Sequence, residues 1–370
     1  MPEIHLQQEI LELTKKLIGF QSTNSRPEEI HRCAVFIEQW LDRYNIPYQR
    51  TDKDRIPSIT VLPKPGYAPV LLMTHFDVVE SDDRALFTPI ERGDRLFGRG
   101  AIDDKYGVAL SLVLLREHLL NRQQSGQRLE GLNFGLLLTG DEEMGGANGA
   151  KKASDSITPD FFIAIDGGSP DLIVTKEKGV ISLELHARGE AAHAARPWLG
   201  TSAFDMLIDD YTRISKLFPA SSNDTWHRTM VLTKCKAGNG SSNIVPEKAR
   251  AMLDIRFTEN DDADFLVSEI RNMVKSDLTV HAKEPVFMSG PSTYLDLLVD
   301  HSGGAEVGFE HGASDARYFS SKDIPGAIWG ADGGMSQHTK DEHIVIPSLY
   351  QLYDRLDSYL THLPEKQLPR

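Results

Sequence analysis

The sequence predicts an α/β protein, a mostly parallel sheet flanked by helices, interrupted by an inserted α+β domain. Three observations carry that prediction. Short apolar runs at residues 70–73, 134–138 and 161–165 are each bounded by turn or charged residues, the pattern of strands buried on both faces. A stretch rich in Leu, Val and Ala at 106–120 lies between the first two runs and is long enough to be the helix that a parallel crossover needs. After Asp166 the pattern changes: residues 180–187 and 249–257 alternate apolar with polar, which marks half-buried antiparallel strands of a different sheet.

The remaining elements follow in chain order. Two amphipathic helices open the sequence, one over 5–20 with Leu6, Ile10, Leu13, Leu17 and Ile18 near helical spacing, the next after Ser25 and Pro27 through Ile30, Ile37 and Leu41. Helices at 202–217, carrying Ala203, Met206, Leu207, Tyr211 and Ile214, and at 265–274 are expected to cover one face of the second sheet. Past Pro285 the α/β character returns with a helix around 313–319, an apolar run at 324–329 and a terminal helix over 348–360. The predicted division is a discontinuous domain of residues 1–175 and 287–370 and an inserted domain of 176–286.

Composition narrows the function. The chain has 370 residues, 40% hydrophobic and 25% charged, enough to fill a core without staples. Its two cysteines, Cys33 and Cys235, lie far apart, which fits a reducing compartment, so any metal here must be held by His, Asp and Glu. No stretch approaches the ~20 apolar residues of a membrane span, and the N-terminus lacks a signal-peptide pattern, so a cytoplasmic protein is expected. A net charge of −14 disfavours nucleic acids and anionic membranes as partners and leaves small molecules.

Acidic residues and histidines cluster where the apolar runs end. His75 and Asp77 follow the first, Asp141, Glu142 and Glu143 the second, and Asp166 the third. Open α/β sheets bind ligands at this edge. Each piece has a bland reading: His-x-Asp arises by chance, a Glu-Glu pair often starts a solvated helix, and the aspartates of the segment Gly98, Arg99, Gly100, Ala101, Ile102, Asp103, Asp104, Lys105 suit a helix cap. Their order, each after a strand, argues against chance. Carboxylates gathered this closely cannot all stay ionised without a cation.

These segments resemble the co-catalytic dizinc exopeptidases and deacylases, a family that includes glutamate carboxypeptidase, aminoacylase, carnosinase, acetylornithine deacetylase and succinyl-diaminopimelate desuccinylase. The resemblance covers nearly the whole chain and implies a zinc exopeptidase-like fold whose inserted domain serves as lid and dimerisation surface. It implies that His75 binds one zinc with Asp77 orienting it, and that Asp103, rather than Asp104, bridges both metals. Glu142 corresponds to the general base and Glu143 to a ligand of the other zinc, while Asp166 completes the first site. The last ligand is expected at His338, in a segment through Glu342 similar to the family's His-Thr-x-x-Glu motif; His343 does not match it. Two zinc ions are thereby expected, with cobalt or manganese as alternatives because they accept similar ligands.

In the inserted domain, residues 189–197 resemble the family's Gly-x-x-x-His-Ala segment. The resemblance implies that His193 donates to the substrate carbonyl oxygen across a homodimer, as an oxyanion donor does. Asn243 and Arg256 resemble substrate-contacting residues, an Arg fork suiting a carboxylate. Arg317 sits in another family-like segment, where substrate binding and a structural ion pair both remain open. The expected reaction is metal-assisted hydrolysis of a small peptide or N-acyl amino acid, with a deacylase of the acetylornithine or succinyl-diaminopimelate type as the alternative. A noncatalytic homologue is disfavoured by the complete set of ligands and base. A serine hydrolase or a nucleotide enzyme lacks its Gly-x-Ser-x-Gly or P-loop signature here.

Overall fold

A computed structural model describes residues 2–124, 129–219 and 225–364. The elements run α1 (Pro2–Ile18), α2 (Pro27–Arg43), β1 (Gln49–Lys53), β2 (Ile56–Val61), β3 (Val70–His75), β4 (Ile90–Arg92), β5 (Arg95–Phe97), α3 (Lys105–Gln124), β6 (Phe134–Thr139), α4 (Ala150–Ala153), β7 (Phe161–Ala164) and β8 (Leu172–Glu177). There follow β9 (Gly179–Arg188), α5 (Ala203–Ile214), β10 (Thr229–Ala237), β11 (Lys248–Phe257), α6 (Ala263–Met273), β12 (Asp277–Glu284) and β13 (Phe287–Met288). The chain closes with α7 (Thr293–His301), β14 (Glu306–Glu310), α8 (Ala316–Ser320), β15 (Gly326–Ile328), β16 (His343–Val345) and α9 (Ile346–His362). No described helix is long and apolar enough to cross a membrane.

Two compact units result, one of Met1–Lys176, Met288–Glu310 and Ser314–Arg370, the other of Glu177–Phe287 and His311–Ala313. The first holds a sheet in the order β1-β2-β6-β3-β7-β15-β8-β13, with β14 beside β8. Its centre, β6-β3-β7-β15, is parallel, and it is the part built from the apolar runs. Every residue of β3, β6 and β7 is buried. The edges differ from expectation: β1 and β2 form an antiparallel hairpin, β2 joins β6 antiparallel, and β8 meets β15 antiparallel. Strand β1 is largely exposed, and in the buried β2 Pro57, Ser58 and Thr60 interrupt the apolar run that would have betrayed it.

Helix α3 explains why its sequence is apolar without a stripe. Tyr106, Val108, Ala109, Leu110, Leu112, Val113, Leu114 and Leu115 are all fully buried, because α3 meets α1 and α9 as well as β3 and β6. A helix covered on every side needs apolar residues all round. Leu112→Ala is therefore expected to cost about 2–5 kcal/mol of stability, read as a lowered denaturant midpoint with an unchanged slope; a loss within error would contradict this placing of the core. Helix α2 starts on Pro27 with Glu28 and Glu29 in its first turn and ends on Arg43, charges that complement the helix dipole.

The second unit is a four-stranded antiparallel sheet in the order β10-β11-β9-β12. Alternation puts Ile181, Leu183, Leu185, Ala251, Leu253 and Ile255 on one buried face, packed with Leu207 and Ile214 of α5 and Leu266 and Ile270 of α6. Ser202 caps α5 by accepting from the Asp205 N–H, and Asp262 caps α6 by accepting from Asp264 and Phe265, which is why these helices begin where they do.

Candidate metal centre

Parallel strands end together, so the residues that follow β3, β6 and β7 arrive at one edge of the first unit. His75 pairs in register with Thr139, and Asp166 follows β7. Asp103 comes from the turn that opens α3, joined to Asp104 by a cis peptide bond. His338 lies between β15 and β16 with a left-handed φ of 62°. All five expected ligands of the first unit thus meet in two groups, His75 with Asp103 and Asp166, and Asp103 with Glu143 and His338.

Asp103 belongs to both groups and divides its oxygens between them. Its Oδ1 lies 3.0 Å from His75 Nε2, and its Oδ2 lies 2.9 Å from His338 Nε2. Asp166 Oδ2 is 3.7 Å from His75 Nε2, and Glu143 Oε2 is 3.3 Å from His338 Nε2. Asp104 is in neither group; it is fully buried and accepts from the Thr74 hydroxyl. His343 is in neither group and packs against the Phe97 ring.

Asp77 meets His75 through its main chain as well as its carboxylate. The His75 Nδ1 hydrogen bond goes to the Asp77 carbonyl at 3.1 Å, with the carboxylate Oδ1 further off at 3.4 Å. The carboxylate also accepts the backbone N–H of Glu142 through Oδ1 and of Glu143 through Oδ2, each at 3.1 Å. One residue therefore orients the imidazole with its main chain and holds the Glu142–Met144 turn with its side chain. The far end of that turn is held by Gly145 O, which accepts from Arg317 Nη2 at 3.2 Å and from the Tyr318 hydroxyl. Arg317 is buried, its Nη1 donates to Ser314 O at 2.6 Å, and Asp315 lies 3.9 Å from Nη2. In this structure Arg317 directs Nη1 and Nη2 at carbonyls of its own fold. Gly146, at φ +62°, lets the turn pass Asp315, for a Cβ there would sit 1.9 Å from Asp315 Oδ1.

In the second unit, the Ala192–Val245, Ala194–Asn243 and His193–Ile244 pairings bring His193 and Asn243 onto neighbouring segments. Arg256 lies on β11 with its Nε 2.8 Å from Asp254 Oδ1.

The charges of the first unit's cluster do not balance on their own. Burial, with Asp166 and Asp315 nearby, pushes the Glu142 carboxyl well above the ordinary range. Burial likewise raises Asp104, lifts Asp141 to about 6 and lifts Asp315 to about 7. Burial would also raise Asp103, but hydrogen bonds from His338 and His75 outweigh it and hold that carboxyl below its usual range. His75 Nε2 is buried without an aligned hydrogen bond although Asp103 is near. A nitrogen so placed, ringed by carboxylates, fits a ligand to a divalent cation, whose charge would offset the crowding.

The imidazoles give a test of that fit. Asp103 and Glu143 lift His338 to about 10, and His75 is raised against burial by Asp166 and Asp103. The His338 ring therefore carries a proton at neutral pH in the cation-free protein, and ligation must displace it. Zinc affinity is expected to strengthen as pH rises towards the His338 value, with proton release visible in calorimetry as heats that depend on the buffer. Heats independent of the buffer would contradict the assignment.

Such a cluster at the carboxyl edge of a mostly parallel sheet is a candidate centre for metal-assisted chemistry. The chain belongs to peptidase family M20/M25/M40, whose model matches residues 71–362. Among its relatives, a protein described as a probable carboxypeptidase from Arthroderma otae is 28% identical over 314 residues, covering 76% of this chain and 67% of that protein. The succinyl-diaminopimelate desuccinylase of Rhodospirillum centenum is 25% identical over 334 residues, covering 84% and 85%. The M20 family metallo-carboxypeptidase of Sulfolobus solfataricus shares the fold at a TM-score of 0.78 and 19% identity, over 95% of this chain and 98% of its own. The resemblance read from the motifs thus holds for the family, and its hydrolases act on peptide or acyl amino acid bonds.

Proposed function

We propose that this chain hydrolyses the amide bond of a small peptide or an N-acyl amino acid with two zinc ions, one between His75 and Asp166, the other between Glu143 and His338, and Asp103 shared. The division of the two Asp103 oxygens between the two imidazoles is the observation that carries this reading. When bound, the cations supply Lewis-acid activation of the carbonyl and lower the pKa of water. Glu142 is outside both groups and serves as general base, taking the proton from the attacking water and passing it to the leaving nitrogen. Its raised affinity for a proton suits the return step, and Asp77 fixes the backbone from which it reaches.

His193 serves as donor to the substrate carbonyl oxygen. Its Nδ1 accepts the Ala195 N–H at 3.1 Å, so the proton of the neutral ring sits on Nε2, the tautomer a donor needs. Asn243 and Arg256 are assigned to the substrate, Arg256 to a carboxylate it takes in exchange for Asp254. A homodimer through the second unit is part of the reading. Trp198, Leu199, Ile208 and Val231 are 75%, 64%, 48% and 57% exposed there, and β10 is an edge strand; exposed apolar surface beside an open edge suits a partner. Free thiols at Cys33 and Cys235 suit a cytoplasmic setting. Assaying zinc-loaded protein against a panel of dipeptides, N-acetyl and N-succinyl amino acids tests the substrate class. Cleavage of the dipeptides makes it a peptidase and cleavage of the acyl compounds a deacylase, whereas no cleavage of either class sinks the proposal.

A further inference from the structure

The two cation groups are not anchored alike. His75 and Asp166 stand at the ends of buried strands, and Asp103 is tethered by the start of α3, where the buried Lys105 Nζ donates to the Leu17 and Phe20 carbonyls. His338 has none of this support: its side chain is 55% exposed and its loop runs between two three-residue strands. Tyr106 and Ser348 hold the loop's first residues at Ala331 and Asp332, and nearer His338 the loop is met by a buried ion pair between Arg99 and Glu342, whose side chains are 4% and 2% exposed.

The hydrogen bonds of this pair run from one loop to the other. Glu342 Oε1 accepts the Gly100 N–H at 2.7 Å, and the Glu342 carbonyl accepts the Gly98 N–H at 3.0 Å. Arg99 Nη1 binds Glu342 Oε2, while Nη2 donates to the His338 carbonyl at 3.4 Å. Residues 98–100 lead into Asp103, and residues 338–342 carry His338, so the pair fastens together the backbones that present the two ligands. Nothing in this arrangement touches His75 or Asp166.

We propose that Arg99 and Glu342 are positioning residues for the second cation site, fixing His338 against Asp103 so that binding of the second cation, and not the first, depends on them. The proposal rests on the reading that each group holds a cation. Loss of a residue that orients a metal ligand commonly weakens affinity about 10–100-fold. Because the first group keeps His75, Asp166 and an Asp103 held by α3, the effect falls on one site of the two.

The test is zinc titration of stripped full-length protein with metal counted per chain. Arg99→Met with Glu342→Leu replaces the buried charges together, which cores often tolerate, and thermal unfolding verifies the fold. Wild type is expected to bind two zinc ions, and the double variant one with unchanged affinity and the second about 10–100-fold more weakly. Glu342→Gln keeps an acceptor for Gly100 and is expected to fall between them. Two zinc ions bound by the double variant with wild-type affinity would overturn the proposal, and so would equal loss at both sites. A wild type that binds no zinc would instead overturn the two-cation reading itself.

Discussion

Glu142→Gln is expected to lower kcat by about 10²–10⁴-fold while the protein still binds two zinc ions. The carboxyl lies outside both ligand groups, so removing its charge takes no donor from either cation. Its backbone is fixed independently, by the Asp77 carboxylate before the turn and by the Gly145 carbonyl after it, so an isosteric amide should leave the turn in place. What the amide cannot do is accept a proton from water and return it to nitrogen. Since kcat reports the bound complex, the loss should appear there, with KM little altered. Activity near wild type in a variant with full metal content would mean that another group handles the proton.

Asp103→Ala has the second large effect, and on different grounds. It removes one ligand from each group at once, leaving His75 with Asp166 and His338 with Glu143. Two donors apiece hold a cation poorly, and the carbonyl activation a cation supplies is worth several kcal/mol. Activity is therefore expected to fall by more than about a thousandfold, to the level of stripped protein, with metal content lost from both sites. Asp104→Asn, next in sequence but in neither group, is expected to keep both cations. Loss of a single cation in Asp103→Ala would show that the carboxylate serves one site only.

The sequence made the centre of the fold legible because buried parallel strands must be apolar throughout, as residues 70–73, 134–138 and 161–165 are. The alternation of β9 and β11 was legible for the converse reason, one face buried and one wet. Strands β1 and β10 were not foreseen, for they are largely exposed and carry neither pattern, and β12 was missed although Leu278, Val280 and Ala282 alternate with polar residues. The small sheet of β16, β5 and β4 was missed as well, because three residues are too few to show a period. Helix α8 was expected over 313–319 and begins at Ala316.

For the site, residue types were readable and partnerships were not. Acids and histidines at strand ends announced a cation cluster. That the Asp77 carboxylate would hold the Glu142–Glu143 amides, or that Arg317 would turn to the Gly145 carbonyl, depends on tertiary contacts across 65 and 172 residues. Arg99 and Glu342, 243 positions apart, both lie in segments singled out for other members, and only the fold shows them joined.

On the proposed reading, two cations together drive the hydrolysis, and zinc titration of chelator-stripped protein while hydrolysis of the best substrate is followed reads this directly. Negligible turnover is expected in stripped protein, with recovery that completes as the second equivalent of zinc binds. Full turnover in protein shown to be free of metal, or two bound zinc ions that restore none, would contradict that reading.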